Sequence, residues 1–222
     1  MGVSNHYNFN QMNITIFGGT GATGLILIEK ALATGHTVTA FARTPSKISI
    51  QHNNLKIVKG DLTELNKLEE AIKGADKVIS ILGPTQKTKG LVIADGIKNI
   101  IEIMKKNGVK RLIATATPSF KDNNDKFQFG FAFGIFMIKA FIKDSYNNIV
   151  LTGKYISESD LDWTIVRLPM LSGKPASGKI NAGYTGDGTI SLFSLSRGDL
   201  ADFLLQQLND KKWIHKSPVI SN

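Results

Sequence analysis

A glycine-rich turn between a strand and a helix is the feature that most constrains this chain. Residues 14–24 read Ile-Thr-Ile-Phe-Gly-Gly-Thr-Gly-Ala-Thr-Gly, so a short apolar strand runs into the turn and a helical pattern follows at once. In such a unit the glycines permit a tight turn, a close approach of the backbone to a ligand, and close packing of the helix on the strand. The free N–H groups and the dipole of the helix N-terminus favour an anion. The unit therefore predicts a site for the diphosphate of a dinucleotide.

The glycines of this turn fit two known spacings. Gly19, Gly21 and Gly24 match G-x-G-x-x-G, whereas Gly18, Gly21 and Gly24 match G-x-x-G-x-x-G, which is similar to the spacing of the short-chain dehydrogenase/reductase superfamily. Both readings place the same backbone around the diphosphate. The residues proposed to bind it are Gly18, Thr20, Gly21, Ala22, Thr23 and Gly24.

Strands and helices alternate along the rest of the chain. We predict strands at 12–17, 37–42, 55–58, 77–82, 111–117, 163–167 and 219–221, and helices at 22–33, from 63, at 88–106, 145–159 and 199–208. This order predicts an α/β fold, a Rossmann-type doubly wound parallel sheet in a single domain. The domain is expected to span 12–222, after a polar extension at 1–11, with substrate-side elements at 118–145 and 168–196.

The composition of the chain limits the kinds of ligand and partner that we expect it to bind. The chain has no cysteine, its four histidines are scattered, and no metal site is predicted. The net charge of +9 comes from lysines spread along the chain without a nucleic-acid motif, so we attribute it to a solvated surface and an anionic cofactor. With no signal peptide and no membrane-spanning stretch visible, we expect a cytoplasmic monomer or homodimer.

The residue after the second strand selects between NAD and NADP. An acid there binds the ribose 2′-hydroxyl of NAD, and an arginine accommodates the 2′-phosphate of NADP. Here the position holds Arg43, followed by Lys47, and no acidic residue occurs from 30 to 60. The simpler alternative is that both are ordinary surface charges. The missing acid favours NADP, with NAD less favoured.

Further candidates follow the third, fourth and fifth strands, where ligands bind at the carboxyl edge of a parallel sheet. We expect Asp61 and Leu62 near the adenine, although Asp61 is also suited to cap a turn. The remaining cofactor-binding candidates, beside the ribose and nicotinamide, are Leu82, Gly83, Pro84 and Thr115. Thr117 is the catalytic candidate, with a turn-capping role as the alternative.

Taken together, these stretches resemble the atypical short-chain dehydrogenase/reductases with an NAD(P)H-binding domain, in particular the branch of biliverdin-IXβ reductase/flavin reductase and the NmrA-like proteins. The resemblance also rests on Leu-Asp-Trp-Thr-Ile-Val-Arg at 161–167 and Leu-Ser-Arg-Gly-Asp-Leu-Ala-Asp at 195–202. It implies that Thr117 matches a serine of the flavin reductase, and that Arg197 and Asp199 hold structure. The histidine near the flavin reductase pocket has no counterpart around Ile149 and Met170, which argues against a tetrapyrrole substrate.

The chemistry expected is hydride transfer without a protein acid. None of the four tyrosines is followed by lysine in the pattern Tyr-x-x-x-Lys, which disfavours dehydratase, epimerase and alcohol dehydrogenase activity. Flavins and quinones accept hydride directly from a stacked nicotinamide. We therefore predict an NADPH-dependent reductase of a small planar acceptor, a flavin, quinone or similar molecule. The alternative is a non-enzymatic NADP(H)-binding redox sensor of NmrA type.

The segment 127–142 is unusually rich in phenylalanine. Gly130 and Gly134 favour a loop or lid that leads into a helix over a strand. We expect a core or interface helix, with a substrate wall of phenylalanines as the alternative.

Overall fold

The computed structural model describes residues 11–85, 88–191 and 195–222, so the predicted extension at 1–11 lies almost wholly outside the described residues. The strands are β1 (Asn13–Phe17), β2 (Thr37–Ala42), β3 (Leu55–Lys59), β4 (Lys77–Ser80), β5 (Arg111–Ala116), β6 (Asp162–Arg167), β7 (Leu171–Ser172), β8 (Asn181–Gly183), β9 (Leu195–Ser196) and β10 (Val219–Ser221). The helices are α1 (Ala22–Ala33), α2 (Leu65–Ile72), α3 (Val92–Lys106), α4 (Phe129–Phe141), α5 (Lys143–Ser157) and α6 (Arg197–Gln206).

The main sheet has eight strands in the order β3-β2-β1-β4-β5-β6-β10-β8. All neighbours pair in parallel except β10 and β8, which are antiparallel. The order reverses between β1 and β4, so the chain leaves a crevice at the carboxyl ends of these strands. The predicted doubly wound parallel sheet is thereby confirmed. A separate two-stranded sheet joins β7 to β9.

Helices cover both faces of the sheet. Helices α1 and α6 pack together on one face, with Leu27, Ile28, Leu200 and Leu204 fully or almost fully buried. Helices α2, α3 and α5 cover the other face. There the apolar side chains of α3 that face the sheet are buried or partly buried: Ile93, Ile97, Ile100, Ile101 and Met104. Two apolar layers therefore fix the sheet edge on which the site is built.

The observed bounds differ from the predicted ones where local turns intervene. The helix expected from residue 63 begins at Leu65, because Asp61 already holds the Thr63 amide in a turn. Leu65 itself is 43% exposed, whereas Leu68 and Ile72 on the same helix are fully buried. The helix expected from 88 begins at Val92, after Gly90, whose positive φ of 65° interrupts a helical backbone.

The phenylalanine-rich segment forms a helix, as expected, but not one in the core. Phe131 is 6% exposed, whereas Phe129 and Phe136 on the same helix are 74% and 63% exposed. None of the described helices is both long and apolar enough to cross a membrane.

Candidate functional site

The turn between β1 and α1 has a shape that only glycine permits at two positions. Gly18 has a positive φ of 87°, a conformation that other residues rarely adopt. A side chain at Gly24 would place its Cβ 2.7 Å from the carbonyl carbon and Cα of Gly19. Gly21, in contrast, has only the Gly18 oxygen near its missing Cβ, at 3.6 Å, and borders open space. The turn is thus tight on its protein side and open toward the crevice.

The N-terminus of α1 offers hydrogen-bond donors to this open space. No described side chain caps it and no acidic residue lies in its first turn. The first intrahelical bond runs from the Leu25 amide to the Gly21 oxygen, at 3.0 Å, so the amides of residues 22–24 have no intrahelical acceptor. Residues 22–24, together with Gly21, line a cavity of about 220 Å³. An uncapped helix end beside an open cavity fits a diphosphate.

Arg197 lines the same cavity, although the sequence assigned it a structural role. It is the first residue of α6, and the packing of α6 on α1 brings its side chain to the glycine turn. It makes no ion pair with any residue in the described ranges. A cation there adds positive charge to that of the helix end. The sequence does not reveal that Arg197 lies beside the glycine turn, because this proximity depends on the packing of two helices that are far apart in the chain.

The charged end of the crevice lies beyond β2 and β3. A cleft of about 490 Å³ is lined there by Arg43, Lys47, Asp61 and Lys89, together with Gly18. Arg43 directly follows β2 and Lys47 closes a 3₁₀ turn at Pro45–Lys47. Neither is ion-paired within the part of the chain described, so both cations are free to meet an anion.

Asp61 has a structural role that leaves room for a second one. Its Oδ1 accepts hydrogen bonds from the amide and the hydroxyl of Thr63, both at 3.2 Å. The carboxylate of Glu64 accepts a bond from the Asp61 amide at 2.6 Å. Asp61 thus stabilises the turn before α2, which is the capping role given above as the alternative to adenine binding. The residue also lines the charged cleft.

The other end of the crevice is apolar. A cavity of about 400 Å³ is lined mainly by aliphatic side chains, and its described lining includes no ionisable group. Its polar side chains are the hydroxyls of Thr85, Thr115, Thr117, Ser145 and Thr152. Thr115 and Thr117 come from the end of β5, while Ser145 and Thr152 come from α5. Of the segment 127–142, the described lining of this cavity includes Ile142 and no phenylalanine.

Thr152 is a polar residue of the cavity wall that the sequence did not single out. It is 4% exposed, and its hydroxyl has no hydrogen-bond partner among the described atoms. A buried hydroxyl without a partner is uncommon in proteins and costs free energy, so Thr152 stands out among the residues that line the apolar cavity. Its burial depends on the packing of α5, which a helical pattern alone does not reveal.

The three cavities adjoin one another through shared lining residues, and together they are called the groove. Gly18 borders both the charged cleft and the glycine-turn cavity, and Leu82 borders both the charged cleft and the apolar cavity. Thr115 joins the glycine-turn cavity to the apolar one. Every residue proposed from the sequence lines this groove: Gly18, Thr20, Gly21, Ala22, Thr23, Gly24, Arg43, Lys47, Asp61, Leu62, Leu82, Gly83, Pro84, Thr115 and Thr117. Their individual roles stay predictions.

A buried ion pair anchors the segment after β5. Arg167, at the end of β6 and fully buried, donates to both oxygens of Asp125 at 2.5 and 2.8 Å. Burial opposes ionisation of Asp125, but the bonds and charge of Arg167 outweigh it and hold the pKa of this carboxyl below its usual value. Asp125 also accepts from the Thr185 amide at 3.1 Å. Two segments beside the groove are therefore tied to the sheet.

Asp199 anchors the segment around residue 177 in the same way. Its Oδ1 accepts from the Gly178 amide, and its Oδ2 accepts from the Ser177 amide, the Ser196 hydroxyl and the Asn222 side-chain amide, at 2.6 to 2.9 Å. Burial raises the pKa of Asp199, but these bonds outweigh it and hold the pKa at about 2. A structural role for Asp199 is what the sequence resemblance implied.

Comparisons with known proteins agree with this geometry. The model of a family described as NAD(P)H-binding matches residues 18–211. Phenylcoumaran benzylic ether reductase IRL1 of Ginkgo biloba is 27% identical over 216 residues, which cover 92% of this chain and 67% of that protein. Two other curated relatives align over only about a third of their own length, 32% and 33%.

Solved structures share the whole fold. The oxidoreductase ylbE from Lactococcus lactis superposes with a TM-score of 0.77 at 26% identity, covering 95% of this chain and 91% of that one. A short-chain dehydrogenase/reductase from Veillonella parvula, in complex with NADP, gives a TM-score of 0.78 at 18% identity, covering 95% and 94%. Because the family model spans most of the sequence, the predicted nicotinamide dinucleotide domain is confirmed, and the chain belongs to the NAD(P)H-binding family, related to NAD(P)H-dependent reductases.

Proposed function

We propose that this protein is an NADPH-dependent reductase of a small planar acceptor such as a flavin or a quinone. One observation carries the proposal: a single groove is cationic at one end and apolar, without ionisable side chains among its described residues, at the other. Such a groove matches a molecule with phosphates at one end and an uncharged ring at the other. NADPH has this distribution of charge.

The residues of the groove fit the cofactor part by part. The open turn at Gly21 and the uncapped start of α1 suit the diphosphate, with Arg197 as an added cation. Arg43 and Lys47 suit the 2′-phosphate, and the absence of any acid between residues 30 and 60 leaves nothing there to bind a free 2′-hydroxyl. Preference for NADP over NAD is part of the proposal, and the NADP complex of the similar Veillonella fold supports it.

The apolar end suits direct hydride transfer. When bound, the nicotinamide supplies hydride to the acceptor. The aliphatic walls around Ile81 and Leu168 favour flat apolar rings. The Thr117 hydroxyl accepts a long bond from the Ser119 amide, at 3.3 Å, and can still donate its proton to an acceptor carbonyl. No described side chain here is an acid, so the proton that completes reduction comes from solvent.

Two measurements test the proposal. Equilibrium titration should show tighter binding of NADPH than of NADH, and stopped-flow absorbance should show oxidation of bound NADPH by FMN or menadione. Thr117→Val should slow the transfer by roughly ten-fold to a hundred-fold without weakening NADPH binding, since one hydrogen bond is lost at the acceptor. Ser119→Ala is the matched control, because this nearby hydroxyl is buried but absent from the cavity lining.

The outcomes separate the candidate functions. A tight NADPH complex that reduces neither acceptor would support a redox sensor of NmrA type instead. Failure to bind either nucleotide would refute both functions.

A further inference from the structure

Helix α4 presents a large apolar face that the fold does not cover. Phe129, Phe133 and Phe136 are spaced four and three residues apart, so they lie on one face of the helix, and Phe129 and Phe133 stack with ring centroids 6.3 Å apart. The face continues beyond both ends of this stripe, and its members are 38–81% exposed: Phe127, Phe129, Phe133, Phe136, Met137, Phe141 and Ile142. Contiguous exposure of this kind marks an interaction surface.

Exposed lysines lie near both ends of helix α4. Lys121 and Lys126 precede the helix, Lys139 lies on it and Lys143 follows it. No ion pair joins any of the four to another residue of the described chain. The occupant of the face must therefore tolerate or favour positive charge nearby.

The acids of the same stretch are already engaged. Asp125 is held by Arg167, and Asp122 accepts hydrogen bonds from Ser217 and Asn124. Asp144 accepts from the Gly90 amide at 3.2 Å. Arg167 balances the charge of Asp125, whereas hydrogen bonds leave Asp122 and Asp144 charged. Four lysines against these two acids still leave a positive balance near the face. A second copy of the chain would set these lysines against their own counterparts, so like charges oppose a symmetric dimer through this face.

We propose that the α4 face binds in the plane of a lipid membrane with a negatively charged surface. The helix has 13 residues and is about 20 Å long, which suits insertion along the headgroup boundary and is too short to cross the bilayer. Phenylalanines would enter the acyl boundary while the lysines meet anionic headgroups. This docking goes beyond the proposed reductase activity and does not require it.

The α4 face lies next to the apolar cavity, so docking on a membrane would bring the cavity close to the lipid. Ile142, directly after α4 and 46% exposed, also lines the apolar cavity. The membrane-facing surface and the apolar end of the groove are thus continuous. An acceptor dissolved in lipid would reach the cavity without crossing water.

Vesicle co-sedimentation of the full chain tests the docking. Vesicles containing phosphatidylglycerol should bind the protein, and vesicles of phosphatidylcholine alone should bind it weakly. The double variant Phe129→Ser/Phe133→Ser should lower binding at least ten-fold, and Lys126→Glu and Lys143→Glu should each lower it about five-fold or more, in a salt-dependent way. One matched control is Leu65→Ser, which changes an exposed leucine on α2. The other is Lys110→Glu, which changes an exposed lysine directly before β5, at the amino ends of the strands.

Several results would overturn the proposal. Equal binding of all variants would show that the face is not used, as would a complete lack of binding to phosphatidylglycerol vesicles. A dimer in solution that dissociates in the double phenylalanine variant would assign the face to a second copy instead. NADPH affinity, measured on the same variants, should stay unchanged, which separates this test from that of the reductase.

Discussion

Replacing Asp199 with asparagine tests whether a buried charge holds the segment around residue 177. The carboxylate is fully buried and its pKa is about 2, compared with an ordinary value of 3.8. At about 1.4 kcal/mol per pKa unit, ionisation of this group contributes about 2 kcal/mol to stability at neutral pH. The asparagine variant loses this amount, and a further ~1–3 kcal/mol that does not depend on pH, because its amide group must face a backbone donor.

The sign of the pH dependence follows from the lowered pKa. A depressed carboxyl pKa stabilises the fold fully above the unfolded value and loses the effect as pH falls toward the folded value. The difference in unfolding free energy between wild type and Asp199→Asn should therefore be largest near pH 7. By pH 3 it should have decreased by about 1 kcal/mol, which is half of the ionisation effect.

Urea denaturation followed by tryptophan fluorescence measures this difference. Trp163 and Trp213 are 8% and 7% exposed, so both report unfolding. Asp202→Asn is the control on the same helix, because its pair with Lys30 is partly exposed and worth less than about 1 kcal/mol. A difference between wild type and Asp199→Asn that stays constant from pH 7 to pH 3 would refute the assignment of a stabilising buried charge.

The remaining predictions concern the groove. Arg43→Glu should weaken NADPH binding at least ten-fold and NADH binding far less, since a charge-assisted contact is worth about 1.5–3 kcal/mol; fluorescence titration measures both, and Lys110→Glu is the control of equal charge. Equal losses for both nucleotides would contradict the NADP assignment. Gly24→Ala should cost about 1–3 kcal/mol in thermal unfolding and lower the affinity for NADPH, whereas Gly134→Ala, with nothing within 4 Å of its added Cβ, should not. Arg197→Gln should weaken both nucleotides by a similar factor, and unequal factors would place Arg197 away from the diphosphate. The rate of hydride transfer to menadione should be constant from about pH 6 to pH 8.5; a titration with a pKa in that range would reveal a protein acid at the site.

The dinucleotide unit could be predicted closely from the sequence because its signals are local. The bounds of α1, Ala22–Ala33, and of β2, Thr37–Ala42, agree with those predicted. The apolar run predicts the strand, and the glycine turn is followed at once by helical spacing. The candidate residues of the groove are brought together because parallel strands end at one edge of the sheet, a rule that also follows from the order of elements.

Features that depend on distant packing were missed. The short strands β7, β8 and β9 have two or three residues each, too few for any periodic pattern. Arg197 reaches the glycine turn only because α6 packs on α1. The exposure of the α4 phenylalanines could not be predicted either, because an apolar helix has the same sequence pattern whether it faces a core, a partner or lipid.

Strand β10 lies near the end of the sequence, and this position affects how the sheet forms during folding. Val219 pairs with Arg167, so β6 receives its outer neighbour from a strand more than fifty positions further along. Until then the backbone groups on that side of β6 are a free edge able to pair with another molecule. Such long-range closure slows folding. We therefore expect self-association during refolding to begin at this edge, and conditions that delay the attachment of residues 219–221 to increase it.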